Sequence, residues 1–277
     1  MEIFYLHIIT LNQNKLNNRY SVKAKKHLGQ HFLNDERVAE EIANTVNDSP
    51  VKQVLEIGPG MGMLTKYLLQ NKLDVHVIEL DGESVDFLQN TFLQLSGRII
   101  EQDVLQWDPR PIYGNGEFAI FGNFPYNISS QILFKTLDWV DQVPFFSGLF
   151  QKEVAERVAK DPGSKEYGIL SVLCQAQYDV EYLFTVDPSV FDPPPKVKSG
   201  VLQMVRKENY KLDCNEKLFR TIVKAGFNLR RKTLRNALKK LNFTADISDQ
   251  WWASKRAEQL HWKEFIEITN WADSHEL

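Results

Sequence analysis

Residues 118–128 read FAIFGNFPYNI, an apolar run that stops at an amide, a ring-locked backbone and a flat aromatic: Asn123, Phe124, Pro125 and Tyr126. Each residue type brings one capability. The Asn123 side chain offers a carbonyl oxygen that accepts hydrogen bonds without carrying charge. Pro125 fixes its own φ and restrains Phe124, so the carbonyl between them is aimed in one direction. Tyr126 offers a face on which a planar base can lie, and base-on-aromatic stacking contributes about 1–3 kcal/mol. Two acceptors and a stacking face can hold a planar, amino-bearing ring. A plainer reading of the same residues is a turn with an Asx hydrogen bond beside a core tyrosine.

A second cluster, Glu56-Ile57-Gly58-Pro59-Gly60-Met61-Gly62, ends one apolar run and opens a helical pattern. Glycines there let backbone approach a ligand, and the first turn of a helix presents free N–H groups. A nicotinamide-binding GxGxxG loop would need its third small residue at position 63, which is Met63. The glycines fall instead at 58, 60 and 62 with Glu56 inside the strand, a pattern that resembles motif I of S-adenosylmethionine (SAM) methyltransferases. Gly58 and Gly60 are therefore expected against that cofactor. Glu79 ends the next apolar run, where a carboxylate can accept from both ribose hydroxyls. Asp103 ends the third, placed to accept from the adenine amino group. As plain structure, Glu79 would be a solvated strand end and Asp103 a helix N-cap.

These positions need a frame. Strand-like runs at 53–58, 74–80, 97–103 and 117–124 alternate with helical patterns such as MLTKYLLQN, which predicts βαβ units and a mostly parallel sheet. SSQILFKTLDWV (129–140), QKEVAERVAK (151–160) and GILSVLCQAQ (168–177) read as helices, and the runs 178–187 and 199–207 as an antiparallel pair closing the sheet edge. The fold class expected is α/β: a Rossmann-like methyltransferase sheet over residues 21–207, followed by a small all-helical unit over 208–277. In 230–241, Leu234, Ala237, Leu238 and Leu241 recur at helical spacing with the cations on the other face. Glu153 and Arg157 stand at i, i+4 and could pair on their helix.

Composition narrows the class. Of 277 residues, 43% are hydrophobic and 25% charged, as in an ordinary globular chain. Cys174 and Cys214 are isolated, which suits a reducing cytosol and excludes a disulfide framework. The histidines lack ligand spacing, so no metal is expected. No run approaches the length of a membrane span, and MEIFYLHIIT lacks the charge and cleavage site of a signal peptide. Residues 1–20 read as an N-terminal extension, either disordered or the product of an upstream start codon, with a functional arm as the less favoured alternative. The net charge is −3, yet cations segregate at Lys23, Lys25 and Lys26 and again between Lys217 and Lys240, where no acid interrupts them. Segregation of this kind points to a polyanion.

NFPY resembles motif IV of the amino-group methyltransferases, in which Asp, Asn or Ser precedes an apolar residue, a proline and an aromatic. That explains the residue types. The lone pair of an adenine amine is delocalised into its ring; two acceptors on its N–H groups favour pyramidal geometry and turn the lone pair toward a methyl donor. KHLGQHFL (26–33), NFPYN, QKEVAERV, PGSKEYG (162–168), FDPPPKV (191–197) and RAEQL (256–260) together resemble the small-subunit rRNA adenine-N6,N6-dimethyltransferases, from about residue 23 to the C-terminus. The resemblance implies SAM as cofactor and two adjacent adenosines in the 3′-terminal hairpin of small-subunit rRNA as substrate, within an immature subunit. Carried over, the cofactor contacts fall on His31, Leu33, Gly58, Glu79, Asp103 and Asn123. Position 31 is commonly Asn in such proteins, and a backbone contact would survive the change to His. Phe191 matches the aromatic set against the target base opposite Tyr126; otherwise it is a core phenylalanine. Lys23, Lys25, Lys26, Arg230, Arg231, Lys232 and Arg235 would contact phosphates. The enzyme is expected to act as a cytoplasmic monomer. A large-subunit rRNA adenine methyltransferase related to macrolide resistance, and a non-catalytic assembly factor on the same fold, share parts of this pattern.

Overall fold

Alternation of side chains along each strand sends neighbours into two different cores. Val54 and Leu55 of β2 (Gln53–Ile57), Val77 and Ile78 of β3 (Asp74–Glu79), and Phe145 and Phe146 of β6 (Phe145–Gln151) divide in this way between two buried clusters. A sheet apolar on both faces must be covered on both. With β4 (Ile99–Glu101), β5 (Ala119–Asn123), β7 (Tyr178–Val186) and β9 (Ser199–Arg206), these strands form a seven-stranded sheet of order β4-β3-β2-β5-β6-β9-β7. Pairs from β4 to β6 are parallel, and β9 runs antiparallel to both β6 and β7, which gives the expected edge. A small second sheet joins β1 (Phe32–Leu33) to β8 (Phe191–Asp192), with Leu33 opposite Phe191. The computed structural model describes residues 22–241 and 243–275; the expectation for residues 1–20 lies outside them.

Helices α1 (Glu36–Asn44), α2 (Met63–Gln70) and α3 (Gly82–Thr91) bury Ile42, Leu68 and Leu88 in one cluster. After the short α4 (Arg110–Tyr113), helices α5 (Ser129–Asp138), α6 (Lys152–Val158) and α7 (Ile169–Gln177) bury Leu133, Ala155 and Leu173 in the other. The C-terminal helices α8 (Glu216–Asn228) and α10 (Trp262–Ser274) add Phe219, Ile222, Phe265 and Ile268 to that second cluster. The helical unit is thus layered on α7 through shared apolar contacts. Arg220 of α8 is also tied to Asp138 of α5 at 2.5 Å.

Three local features depart from the sequence reading. Strand β6 was not expected, because its apolar run does not alternate; it lies between β5 and β9 and is buried on both faces. The helix expected over 230–241 is reduced to α9 (Leu234–Ala237) and a 3-10 turn at Lys239–Leu241. The Leu234 and Arg235 amides donate to the carbonyls of Lys255 and Ala253, so the chain cannot continue a helix back through Thr233. On α6 the ion pair is Lys152–Glu156, at 3.6 Å, in place of the expected Glu153–Arg157 pair.

One packing detail fixes the strand end that carries NFPY. Gly122 and Gly148 lie opposite each other on β5 and β6, and the Phe124 ring fills the space their missing side chains leave. A Cβ on Gly148 would stand 2.2 Å from the Gly122 carbonyl and 2.5 Å from the Phe124 ring. Phe124 is 1% exposed and stacks on Phe146 at 4.9 Å. Gly148→Ala is therefore expected to destabilise the protein by about 1–3 kcal/mol or more through overpacking. Chemical denaturation of the variant measures this, and a stability within 0.5 kcal/mol of the parent, a margin of about the size of ordinary surface substitutions, would contradict the packing described.

Candidate active site

The glycine turn after β2 folds as it does because three of its residues take positive φ: Gly58, Gly60 and Gly62 at 68°, 54° and 77°. A side chain there would be strained, and at Gly60 it would also meet the Phe32 ring at 2.9 Å. Gly58 faces the NFPY turn: a Cβ on it would lie at ordinary van der Waals distance, 3.5 Å from Pro125 Cδ and 3.9 Å from the Asn123 carbonyl. The two loops follow adjacent parallel strands, β2 and β5, where the chain order reverses and ligands collect. A single cavity of about 190 Å³ opens there.

Its walls bring together most of the residues singled out from the sequence. His31 enters just before β1 and Leu33 from it, Gly58 and Gly60 from the turn after β2, Glu79 from the end of β3 and Asp103 from beyond β4. Asn123, Phe124, Pro125 and Tyr126 close the far side. Phe124 contributes backbone, since its ring is committed to the core. Phe191 is not among the lining residues. It is 3% exposed, opposite Leu33 in the small sheet, and packs in the α1–α3 cluster. Among the described residues the aromatic ring that packs against Tyr126 is that of His31, and Phe191 is packed in the core.

The Asn123 amide has a defined orientation. Its Nδ2 donates to the His31 carbonyl at 2.8 Å, and because that carbonyl can only accept, Oδ1 is left as the free acceptor. The Tyr126 hydroxyl shares a hydrogen bond with Ser199 at 2.5 Å, while its ring packs against His31 with centroids 5.3 Å apart. Burial raises the Tyr126 pKa and the Ser199 bond opposes this, so the phenol stays neutral.

Carboxyls, and no lysine or arginine, line the cavity. Glu79 accepts from the amides of Leu80 and Asp81 through one oxygen and of Gly60 through the other, at 2.8, 2.9 and 3.1 Å. It thereby fastens the glycine turn to β3. Burial raises its pKa and these backbone donors hold it back. Asp103 accepts from Leu105 and Gln106 within its own turn, which is the N-cap-like role of its plainer reading, while still lining the cavity. Glu56 lies 1% exposed behind the turn and accepts from the Thr65 hydroxyl at 2.6 Å. Burial pushes its carboxyl up to about 8, the Thr65 bond working against that and nearby Glu79 adding to it. Among the described residues no group of His, Cys, Asp and Glu is placed to hold a metal ion.

Two predicted phosphate contacts are otherwise engaged. Lys25 binds Asp81 at 2.5 Å and Glu83 at 3.1 Å, clipping the chain before β1 onto the first turn of α3. Burial alone would raise the Asp81 pKa, but the bonds from Lys25 and Gln30 and the Glu83 amide hold it below the usual carboxylate range. Arg230 donates to the carbonyls of Ser164 and Tyr167 at 3.1 and 3.0 Å and stands 3.7 Å from Glu258. The Gly163 amide donates to the Glu258 carbonyl at 2.7 Å. PGSKEYG, RAEQL and Arg230 are thus one junction between the sheet unit and the helical unit. Lys23, Lys26, Arg231, Lys232 and Arg235 remain exposed. Residues that the sequence reading missed are Gln30, Leu80 and Ser199. Leu80 follows Glu79 and is 53% exposed at the cavity mouth, an apolar exposure that only the fold reveals.

The Glu56 carboxyl carries a pH signature. Its ordinary pKa is 4.5, so between there and about 8 the folded protein keeps a proton that the unfolded chain has lost. Stability from this group therefore falls as pH rises through that window and levels off above it. Glu56→Gln keeps an acceptor for Thr65 and removes the titration. Its melting temperature relative to the parent is expected to climb from pH 5 to pH 8, corresponding to at most about 1.4 kcal/mol per pH unit. Parallel melting profiles for the two proteins would rule out a neutral Glu56.

Relatives of known kind agree with this geometry. The family described as ribosomal RNA adenine dimethylase matches residues 21–273. The chain is 58% identical over 248 residues to a Flavobacterium johnsoniae protein named ribosomal RNA small subunit methyltransferase A, spanning 90% of this chain and 95% of that one. A Parabacteroides distasonis protein of the same name is 55% identical over 260 residues, spanning 92% and 96%. Among solved structures, a dimethyladenosine transferase from Plasmodium falciparum superposes with a TM-score of 0.71 at 23% identity, over 88% of this chain and 98% of that one. The 23S rRNA methyltransferase ErmE gives 0.62 at 24% identity, over 86% and 99%. Likeness at such identities speaks for the fold, whereas the family match and the bacterial relatives extend over nearly the whole sequence. The chain belongs to the ribosomal RNA adenine dimethylase family.

Proposed function

We propose that this protein transfers methyl groups from SAM to the N6 amines of two adjacent adenosines in the 3′-terminal hairpin of small-subunit rRNA. The product is N6,N6-dimethyladenosine, formed in the cytoplasm on an immature subunit by a monomeric enzyme. The observation that carries this reading is that Gly58 and the Asn123–Pro125 turn line one cavity and face each other across it. A cofactor loop and an amine-holding turn share a wall there.

The cavity fits the cofactor in kind. Its walls are apolar side chains and glycine backbone, with Gly60 packed so close to the Phe32 ring that a side chain there would have to displace it, and its acidic groups suit a cationic ligand. Gly58, Gly60, Leu33 and Glu79 are assigned to holding it, with Asp103 at the adenine end and the His31 backbone at the rim. When bound, SAM supplies an electrophilic methyl on a positively charged sulfur. Asn123 Oδ1 and the carbonyl preceding Pro125 accept the N–H groups of the target amine and turn its lone pair toward the glycine turn. Tyr126 carries the base that has left its stack. Catalysis by these residues is positioning and fixed dipoles, and the product nitrogen sheds its proton to water.

The deciding experiment incubates the protein with labelled SAM and separately with small and large subunits lacking the modification, followed by mass spectrometry of nucleosides. Dimethyladenosine from the small subunit alone is expected; label confined to the large subunit would refute the assignment. Exposed Arg231, Lys232 and Arg235 are assigned to phosphate contacts, which add affinity without reading sequence. Replacing all three by Gln is expected to weaken rRNA binding and flatten its salt dependence by about one unit of slope per cation, leaving SAM affinity intact. Arg230→Ala, by contrast, is expected to lower the melting temperature first. Filter binding at several salt concentrations, with calorimetry for SAM, separates these outcomes, and an unchanged salt slope would remove the three cations from the interface.

A further inference from the structure

His31 is placed where it does more than line the cofactor cavity. Its ring nitrogen Nδ1 lies 2.7 Å from the Pro193 carbonyl in the loop that opens FDPPPKV. A carbonyl has no proton to give, so Nδ1 carries the hydrogen and donates it. The face of the same ring packs on Tyr126, 5.3 Å between centroids and tilted by 33°. Its backbone carbonyl orients the Asn123 amide. At the far end of the prolyl loop, fully buried Ser199 holds the Tyr126 hydroxyl. Tyr126 is thus gripped from both ends of the 191–199 loop, at one end through His31 and at the other through Ser199.

We propose that the His31 side chain is a positioning residue for the acceptor base, binding the prolyl loop to the Tyr126 platform, and is not a cofactor contact. The proposal rests on the reading that Tyr126 carries the target base. An aromatic platform holds a base at a fixed distance only if the platform itself cannot tilt, and misplacement of the order of an ångström at a reacting centre is expensive in rate. The demand is greatest in the second methyl transfer. A monomethylated amine has one N–H left, so one of its two acceptor bonds is gone and stacking must carry more of the alignment.

Two substitutions divide the contributions of His31. His31→Phe keeps a ring against Tyr126 and removes the donor to Pro193. His31→Asn keeps a donor at the place of Nδ1 and removes the ring. Ser199→Ala releases the platform from the other end. In His31→Phe and Ser199→Ala kcat is expected to fall about tenfold and the dimethyl-to-monomethyl product ratio to drop, while His31→Asn, which keeps the loop tie and is the residue common at this position in the family, is expected to lose less; in all three the Kd for SAM by calorimetry stays within about twofold of the parent. Amide hydrogen exchange across 191–199 is expected to rise in His31→Phe, a readout that needs no activity. A Kd for SAM that rises in step with the loss of kcat would make His31 a cofactor contact and overturn the proposal. So would an unchanged product ratio in both His31 variants, or unaltered exchange in the loop. The parent enzyme is the separate control for the functional reading: if it makes no dimethyladenosine, that reading fails, and the exchange measurement still decides whether His31 holds the loop.

Discussion

Everything in this site depends on how closely two loops can approach at the ends of β2 and β5. Gly58 takes a positive φ that a side chain would strain, and Pro125 stands at van der Waals distance from where that side chain would start. The two strands are hydrogen-bonded neighbours in register from Val54 opposite Ala119 to Glu56 opposite Phe121, so the loops that follow leave the sheet side by side. A methyl donor and an amine can react only within van der Waals contact, and no flexible arm brings them there. The sheet does so, by register.

The supports behind the loops use different forces for different loads. Phe124 is a wedge: its ring sits in the groove over Gly122 and Gly148, and burial of an aromatic of this size contributes about 2–3 kcal/mol, enough to hold a turn whose exposed end must face a ligand. Glu79 is a tie, its two oxygens spending their acceptor capacity on three amides so that the glycine turn cannot swing from β3. The Lys25–Asp81 pair is a clip between the chain before β1 and the first turn of α3, with the carboxylate 2% exposed and hence better shielded from salt than a surface pair. Polar groups here do structural and functional duty at once, which is why their chemistry alone did not tell the two apart.

That distinction marks the limit of what the sequence discloses. The strands β2 to β5, the glycine turn, Glu79, Asp103 and the NFPY turn were legible because short-range pattern determines them: an apolar run, a turn, and a particular residue at the strand end. Strand β6 was not, since a strand buried on both faces has no alternation to detect. Phe191 was ambiguous for a reason no local pattern can lift, because a phenylalanine beside prolines looks the same whether it faces Leu33 or a nucleobase. Arg230 was ambiguous in the same way. Its charge belongs to a basic run, and its partners, the carbonyls of Ser164 and Tyr167, lie more than sixty residues away in the chain. The helix expected over 230–241 was cut short by the carbonyls of Ala253 and Lys255, about twenty residues further along the chain and outside any local pattern.

The apolar layer that α7 shares with α8 and α10 has a mechanical corollary. A basic surface mounted on a hinge could follow a moving substrate, but one welded through Leu173, Phe219 and Phe265 to the sheet cannot. The span from the outer cations to the methyl-transfer cleft is then a constant of the protein, like the gauge of a jig. Under the proposed function, the bending or base extrusion that bridges that span is left to the nucleic acid.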